Sequence, residues 1–347
     1  MSSNISETSL RKKEHLELCM TDDVSFKEKQ NGFDNYDFVH YAITEVELDK
    51  INFTTKFLGK KINFPFLISC MTGGASEAEN INGQLAVAAS RLNIALGVGS
   101  QRQALEGKQF HHSYRIIRKN APSVPLLGNI GAAQLVKMNS VDQIRMLIEL
   151  VEADALVVHV NPLQELIQRN GEPNFRNLLK KIKWLVSKAG VPVIVKEVGS
   201  GISKEAAAKL LDAGVKGIDV AGSGGTSWAA VEILRNKETT DDFWDWGLST
   251  SYCLRTIYPL KKKFNFDLIA SGGINNPFHL AKAFALGADI SASARIVLQT
   301  LNKSGVEGVV RLIESWFGVM SKIMFLTGSK NLKELRKNKV KRRELLI

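Results

Sequence analysis

The feature that most restricts the fold is a series of eight short apolar runs, each followed by a longer amphipathic stretch. The runs are "FPFLIS" (64–69), "IALGVG" (94–99), "PLLGNI" (125–130), "ALVVHV" (155–160), "VPVIVK" (191–196), "KGIDVA" (216–221), "DLIASG" (267–272) and "DISASA" (289–294). Most are continuously hydrophobic, as parallel strands covered on both faces must be. The stretches between them have helical spacing: "SEAENINGQLAVAASRL", "VDQIRMLIELVE", "FRNLLKKIKWLVSKAG", "SKEAAAKLLDAG" and "NPFHLAKAFALGA". Three of these end in Gly or Gly-Ala just before the next strand, where helix C-caps belong. Eight strand–helix units over roughly 260 residues predict an α/β chain folded as a (β/α)8 TIM barrel with an N-terminal extension. An open doubly wound sheet is the competing architecture, but its GxGxxG is missing after the first strand.

Composition excludes several classes. The 347 residues are 44% hydrophobic and 23% charged, which is ordinary globular usage. Three widely spaced cysteines, Cys19, Cys70 and Cys253, read as reduced thiols of a cytoplasmic protein, and no CxxC or CxxH suggests zinc. The start is polar, with no signal-peptide core, and no run approaches the ~18 apolar residues of a membrane span. Of the net charge of +11, +6 sits in residues 330–347. Such a tail could touch nucleic acid or acidic lipid, but it lacks interleaved aromatics and reads as a solvated, partly helical terminus.

Active sites of such barrels lie at the C-terminal ends of the strands. Those ends read "MTGG" (71–74), "GSQR" (99–102), "GNIG" (128–131), "HVNPLQE" (159–165), "KEVG" (196–199), "AGSGGTSW" (221–228), "SGGI" (271–274) and "SAR" (293–295). Every one mixes small residues with hydrogen-bonding side chains, so the rim is expected to hold something large, polar, and flat or phosphorylated. Phosphates in these barrels commonly sit by the last two loops, which places one at Gly272, Gly273, Ala294 and Arg295. Lys196, ending an apolar strand, suits a Schiff base, a phosphate or an anionic cofactor ring. "HVNPLQE" supplies a neutral amide and a carboxylate but no nucleophile.

Together "RKKEHL", "MTGG", "GSQR", "HVNPLQE", "VKEVG", "GGTSW" and "ASGG" resemble type 2 isopentenyl-diphosphate delta-isomerase, over roughly residues 10 to 328. The resemblance implies an isomerase of isoprenoid biosynthesis. It would interconvert isopentenyl and dimethylallyl diphosphate with reduced FMN, Mg2+, and NADPH as reductant, without net redox change. Carried over by motif, Arg11 and Lys12 hold the diphosphate. Met71, Thr72, Gly73, Ser100, Asn129, Lys196 and Thr226 contact FMN, and Gly272, Gly273, Ala294 and Arg295 surround its phosphate. Ser100, Gln101, Arg102 and Gln164 face the substrate, and Glu165 binds Mg2+. Reduced flavin would act as acid–base, with Lys196 favouring its anionic form. Gln164 cannot quench a carbocation, and His159 orients a partner or shuttles a proton. Ala221 departs from family members that carry a hydroxyl there. The family's habit also implies a homo-oligomer, a tetramer or octamer.

Three parts are expected: residues 1–65 with the Arg-Lys motif and a small β-element closing the barrel's N-terminal end, the FMN-binding catalytic barrel at 66–328, and the basic tail at 329–347. The stretch 228–250 reads as an insertion, serving as a lid or an oligomer contact. Rival readings lack their residues. A 2-hydroxy-acid oxidase needs a His-x-x-Arg pair at the last strands. An IMP dehydrogenase-like barrel needs a cysteine after the sixth. A scaffold or nucleic-acid binder needs no such rim.

Overall fold

The structure, a computed structural model, describes residues 7–20, 24–70, 76–236, 240–337 and 339–346. Its centre is a closed parallel barrel of eight strands: β1 (Phe66–Ile68), β2 (Ala95–Gly97), β3 (Leu126–Gly131), β4 (Ala155–His159), β5 (Val193–Lys196), β6 (Gly217–Asp219), β7 (Asp267–Ala270) and β8 (Ile290–Ser293). Seven fall within their apolar runs, and β3 extends one residue beyond its run, to Gly131. β8 pairs with β1, which closes the ring and leaves no edge.

Continuous apolar strands are needed because both faces are dry. Outward residues such as Phe66, Leu96, Leu126, Leu156 and Val195 pack into the large core under the helices. Inward residues Leu67, Leu127, Val157, Ile194, Ile269 and Ile290 fill the barrel. That inner core is closed from below by a hairpin, Thr55–Phe57 with Lys60–Ile62, whose Phe57 and Ile62 join it. The hairpin turns at Leu58 and Gly59, with φ of 50° and 80°. Two successive left-handed residues match the twist of a two-residue hairpin loop. The closing β-element is thus present, but the alternating stretch "YAITEVEL" (41–48) forms no strand. It runs instead along the end of the helical segment Arg295–Leu326, where Tyr41 N–H and Thr44 Oγ1 donate to Leu326 O and Phe325 O. Those carbonyls have no partner inside the helix, so the loop serves as its cap.

The basic terminus differs from expectation. Its helical turn, Leu332–Leu335, forms, but the segment is docked rather than solvated. Val340–Arg342 pairs antiparallel with Tyr36–Phe38, Leu335 is fully buried, and Arg336 bonds Ala288 O and Asp289 at the foot of β8. Charge counting saw eight cations, while Leu332, Leu335 and Val340, one face between them, do the packing. Leu335→Ala is expected to destabilise the chain by about 2–5 kcal/mol, as for other buried leucines. Urea unfolding monitored by fluorescence checks this, and a surface role would leave the midpoint unchanged. Among the described residues, no helix is long and apolar enough to cross a membrane.

Candidate active site

One cavity opens at the C-terminal ends of the strands. Its wall includes Lys12, Asn129, Gln164, Lys196, Gly272 and Arg295, drawn from six separate parts of the chain. Ser100, Arg102, His159, Glu165, Thr226, Gly273 and Ala294 also face it, as does Arg11. Met71, Thr72 and Gly73 lie outside the described residues.

Gln101 is a correction. It is fully buried, but its amide turns away from the cavity: Oε1 accepts from Asn129 N–H at 2.9 Å and Nε2 donates to Leu147 O at 2.8 Å. It ties the second loop to β3 and a helix behind it. In "GSQR" the neighbours Ser100 and Arg102 point inward, and the tight turn sends the residue between them out.

The ends of β7 and β8 bring together the residues expected around a phosphate. Arg295 starts the helical segment Arg295–Leu326, and the N-cap Ala294 offers no side-chain acceptor to the first N–H groups. Arg295 Nη2 donates to Ser25 Oγ at 2.7 Å, while its buried Nη1 has no partner among the described residues. Gly272 and Gly273 have φ of 98° and 73°, and a Cβ on either would strike the backbone of Gly222 or Gly224. Part of the glycine richness therefore serves loop-on-loop packing, with the ligand gaining open N–H groups as a result. Asn31 and His279 both bond Gly273 O, which pins that loop from the N-terminal extension.

The same cavity is lined by three basic side chains, Arg11, Lys12 and Arg102. Lys12 Nζ donates to Ser100 O at 3.1 Å beside the Tyr114 hydroxyl, which bonds the same carbonyl. Burial, then the Arg11 and Arg102 charges, lower Lys12 to about 7. Arg102 lies against Glu106 at 3.0 Å and Glu172 at 3.5 Å. A cluster whose members depress one another's ionisation is one that a multivalent anion would relieve.

"HVNPLQE" begins at the end of β4, four strands from β8 around the closed barrel. His159 Nδ1 sits 2.9 Å from Asn129 Oδ1, and burial, with Lys196 and Lys12 nearby, lowers its pKa to about 3. A neutral imidazole so held suits orienting a ligand far better than carrying a proton at neutral pH. Pro162 opens the short helix α1 (Pro162–Ile167), as prolines at N1 do. Asn161 Nδ2 donates to Gln164 Oε1 at 3.0 Å and Glu165 Oε1 at 3.1 Å. Glu165 Oε2 accepts from Glu172 N–H at 2.8 Å.

Sequence reasoning missed the residue at the back of this group. Glu232, on helix α2 (Trp228–Arg235), is fully buried and accepts from Gln164 Nε2 at 3.1 Å, His15 Nε2 at 2.8 Å and Arg235 Nη1 at 2.6 Å. With its amide turned to satisfy both ends, Gln168 donates to Glu232 at 3.2 Å and accepts from Arg11 at 3.0 Å. Burial opposes ionisation of Glu232, but His15, Gln164 and Arg235 together hold its carboxyl below the usual range. Burial likewise pushes His15 down, against the pull of Glu232, so the imidazole donates as the neutral form. The signal was present in "WAAVEIL", where one carboxylate interrupts an apolar run. Within the stretch 228–250, helix α2 and Trp244 brace the site from behind. Trp244 packs on Ile167 of α1 and on Ala229, Ala230 and Ile233 of α2, and its Nε1 donates to Ser25 O.

The pattern of the FMN-dependent dehydrogenases matches residues 7–107 and 128–342. An isopentenyl-diphosphate delta-isomerase of Pelodictyon phaeoclathratiforme is 43% identical over 346 residues, covering 95% of this chain and 96% of its own. Those of Nostoc sp. and Pyrococcus abyssi are 44% and 42% identical, covering 96% and 95% of this chain and 96% and 91% of their own. The chain belongs to the isopentenyl-diphosphate delta-isomerases.

Among solved structures, a flavocytochrome b2 variant superposes with a TM-score of 0.70 at 17% identity, over 96% of this chain and 83% of its own. A mandelate oxidase variant with (S)-mandelic acid gives 0.65 at 14%, over 95% and 94%. These share the barrel. Where β6 ends, this chain reads Ser223-Gly-Gly-Thr226. After β5, Glu197 Oε2 takes three backbone N–H groups, from Val198, Gly199 and Ser200, at 2.6–2.8 Å. Glu197→Ala strands all three, each at about 1–3 kcal/mol. It should lower the melting temperature by several degrees and weaken flavin uptake at least tenfold, read by calorimetry and fluorescence titration. Unchanged values would show that solvent replaces the carboxylate.

Proposed function

We propose that this chain interconverts isopentenyl and dimethylallyl diphosphate, using reduced FMN as the acid–base and Mg2+ on the diphosphate. The observation that carries the reading is the layout of one cavity. Arg295, whose buried Nη1 has no partner among the described residues, Gly272 and Gly273, the cations Arg11, Lys12 and Arg102, and Gln164, a neutral amide held by Glu232, all line it.

When bound, reduced flavin supplies proton transfer to and from the alkene. The chain's own residues bind, orient and shield. Ala294, Arg295, Gly272 and Gly273 would hold the FMN phosphate, and Asn129, Ser100, Thr226 and Lys196, with Met71, Thr72 and Gly73, its rings and chain. Lys196, fixed by a 2.6 Å bond to Glu197 O, would supply a cation favouring the electron-rich form of the ring. Gln164, held from both sides by Asn161 and Glu232, faces a carbocation-like alkene without trapping it. Arg11, Lys12 and Arg102 take the diphosphate. Glu165 supplies the metal's carboxylate, and substrate oxygens and water complete the shell, as is usual for Mg2+. NADPH would enter by the same opening to reduce the flavin. Assembly into a tetramer or octamer, and a cytoplasmic setting, belong to the same proposal.

Purified protein incubated with isopentenyl diphosphate, FMN and Mg2+ should form dimethylallyl diphosphate only when NADPH or dithionite is present. A colourless protein that takes up no flavin, or turnover indifferent to flavin and reductant, overturns the reading. Glu165→Ala should raise the Mg2+ needed for half-maximal rate at least tenfold. An unchanged Mg2+ titration would remove Glu165 as ligand.

A further inference from the structure

Beneath the cavity floor lies a carboxylate that the proposed chemistry does not use. Asp219 ends β6 with 1% of its surface exposed. Its place follows from the strand alternation. Ile194 points into the barrel, and a Cβ on Gly217 would meet the Ile194 side chain, so these two positions face inward side by side. Two residues on, Lys196 and Asp219 are paired in register and face inward together. Ile269 is also inward, and two residues on from it Ser271 Oγ donates to Asp219 Oδ1 at 2.5 Å. Lys196, Ser271 and Ala221 line the cavity, with Asp219 directly behind them.

Asp219 also accepts from Ala221 N–H, two residues ahead, in the manner of an Asx turn. Ala221 has φ of 34°, a strained value for a residue with a side chain, so this bond helps set the loop. An asparagine would do that equally well. What asparagine lacks is the charge. No direct bond joins Asp219 to Lys196 among the hydrogen bonds and ion pairs of the described residues. The two act on each other through space, in a region walled by the dry inner core. Burial pushes the Asp219 carboxyl up, and Lys196 is foremost among the groups that pull it back.

Of the other titratable groups facing the pair, Cys70 and His159 carry no charge, and Glu197, which burial raises to about 7, also feels Lys196. Burial raises the Cys70 thiol to about 12, and His159, at about 3, is neutral. The Glu197 carboxylate is engaged by the three N–H groups of its own loop.

We propose that Asp219 is a positioning residue acting through Lys196, and that its buried negative charge limits how far Lys196 stabilises the anionic reduced flavin. The proposal rests on the FMN reading above. A flavin that served as an acid–base must give its proton back, and a lone buried ammonium would hold the ring in its anionic form too firmly. Asp219 moderates that field without touching the ligand.

The test is Asp219→Asn in the holoenzyme, which keeps an acceptor for Ser271 and Ala221 and removes only the charge. The pH at which bound reduced FMN ionises, read from its absorbance, should fall by about one unit. At a pH above both values, that tenfold change moves the two-electron midpoint potential positive by about 30 mV. Wild-type values for both, in a variant that binds FMN normally, would overturn the proposal. If Asp219→Asn does not yield folded holoenzyme, the double variant Lys196→Met/Asp219→Asn decides. Recovery of a folded, flavin-binding protein supports a charge pair, because removing both partners of a buried pair is far milder than removing one. No recovery overturns it. Failure of the wild-type protein to take up FMN is a separate outcome, and it counts against the functional reading.

Discussion

Glu232→Ala is expected to destabilise the chain by about 3 kcal/mol and to lower turnover at least a hundredfold while flavin still binds. The carboxylate is fully buried and satisfies His15, Gln164 and Arg235 at once. Removing one member of a buried charged network costs about 3–5 kcal/mol, chiefly because the partner is left uncompensated. Arg235 keeps Glu14 at 2.8 Å, which favours the lower end. The kinetic loss has a different origin. Gln164 Nε2 loses its anchor, and a displacement of about 1 Å at a positioned group costs on the order of a hundredfold. Glu232→Gln separates the two effects. It should retain most of the stability, because an amide oxygen still accepts, but lose turnover, because its NH2 can face the Gln164 donor. Thermal unfolding, steady-state kinetics and flavin titration report the three quantities. Turnover within twofold of wild type in both variants would show that Gln164 needs no support from behind.

The second large effect is in pH. Lys12 is lowered to about 7, by burial first and then by Arg11 and Arg102. In the free enzyme it is a cation below that pH and a neutral amine above it. kcat/KM for a diphosphate substrate should therefore fall as pH rises through 7, while kcat, which reports the complex, changes less. Lys12→Arg keeps its charge and should flatten that limb. Comparing the two on the same substrate cancels the substrate's own ionisation. A wild-type profile that is flat from pH 6 to 9 would show that Lys12 stays charged. Stability follows the opposite sign. A base whose folded pKa lies below its unfolded value of about 10.4 costs nothing above that pH, and its cost is complete once pH falls below 7. Lys12→Met should thus be more stable at neutral pH and bind substrate worse, as expected of a residue placed for a ligand.

The barrel was legible because its signal is local. Each apolar run spans one strand, and inward and outward residues must both be apolar when both faces are covered. The positions of Lys196, Gln164, Glu165 and Arg295 followed from the same logic, because a residue at the C-terminal end of a barrel strand has little choice but the rim. The limits appear where direction matters. Ser100, Gln101 and Arg102 are consecutive, and only the loop's path decides that the middle one turns out to hold Asn129 and Leu147 O. The terminus read as a charge run because cations outnumber the three apolar residues that dock it.

By itself, the sequence determined the order of strands and helices, the hairpin under the barrel and the chemistry available at its rim. It did so because strand burial and turn geometry depend on near neighbours. Only the tertiary structure decided which partners those groups have. His15 and Glu232 stand 217 residues apart, and Lys12 and Ser100 stand 88 apart. Burial, which shifts the ionisation of Lys12, His159 and Asp219, is a property of the closed barrel and of no single segment.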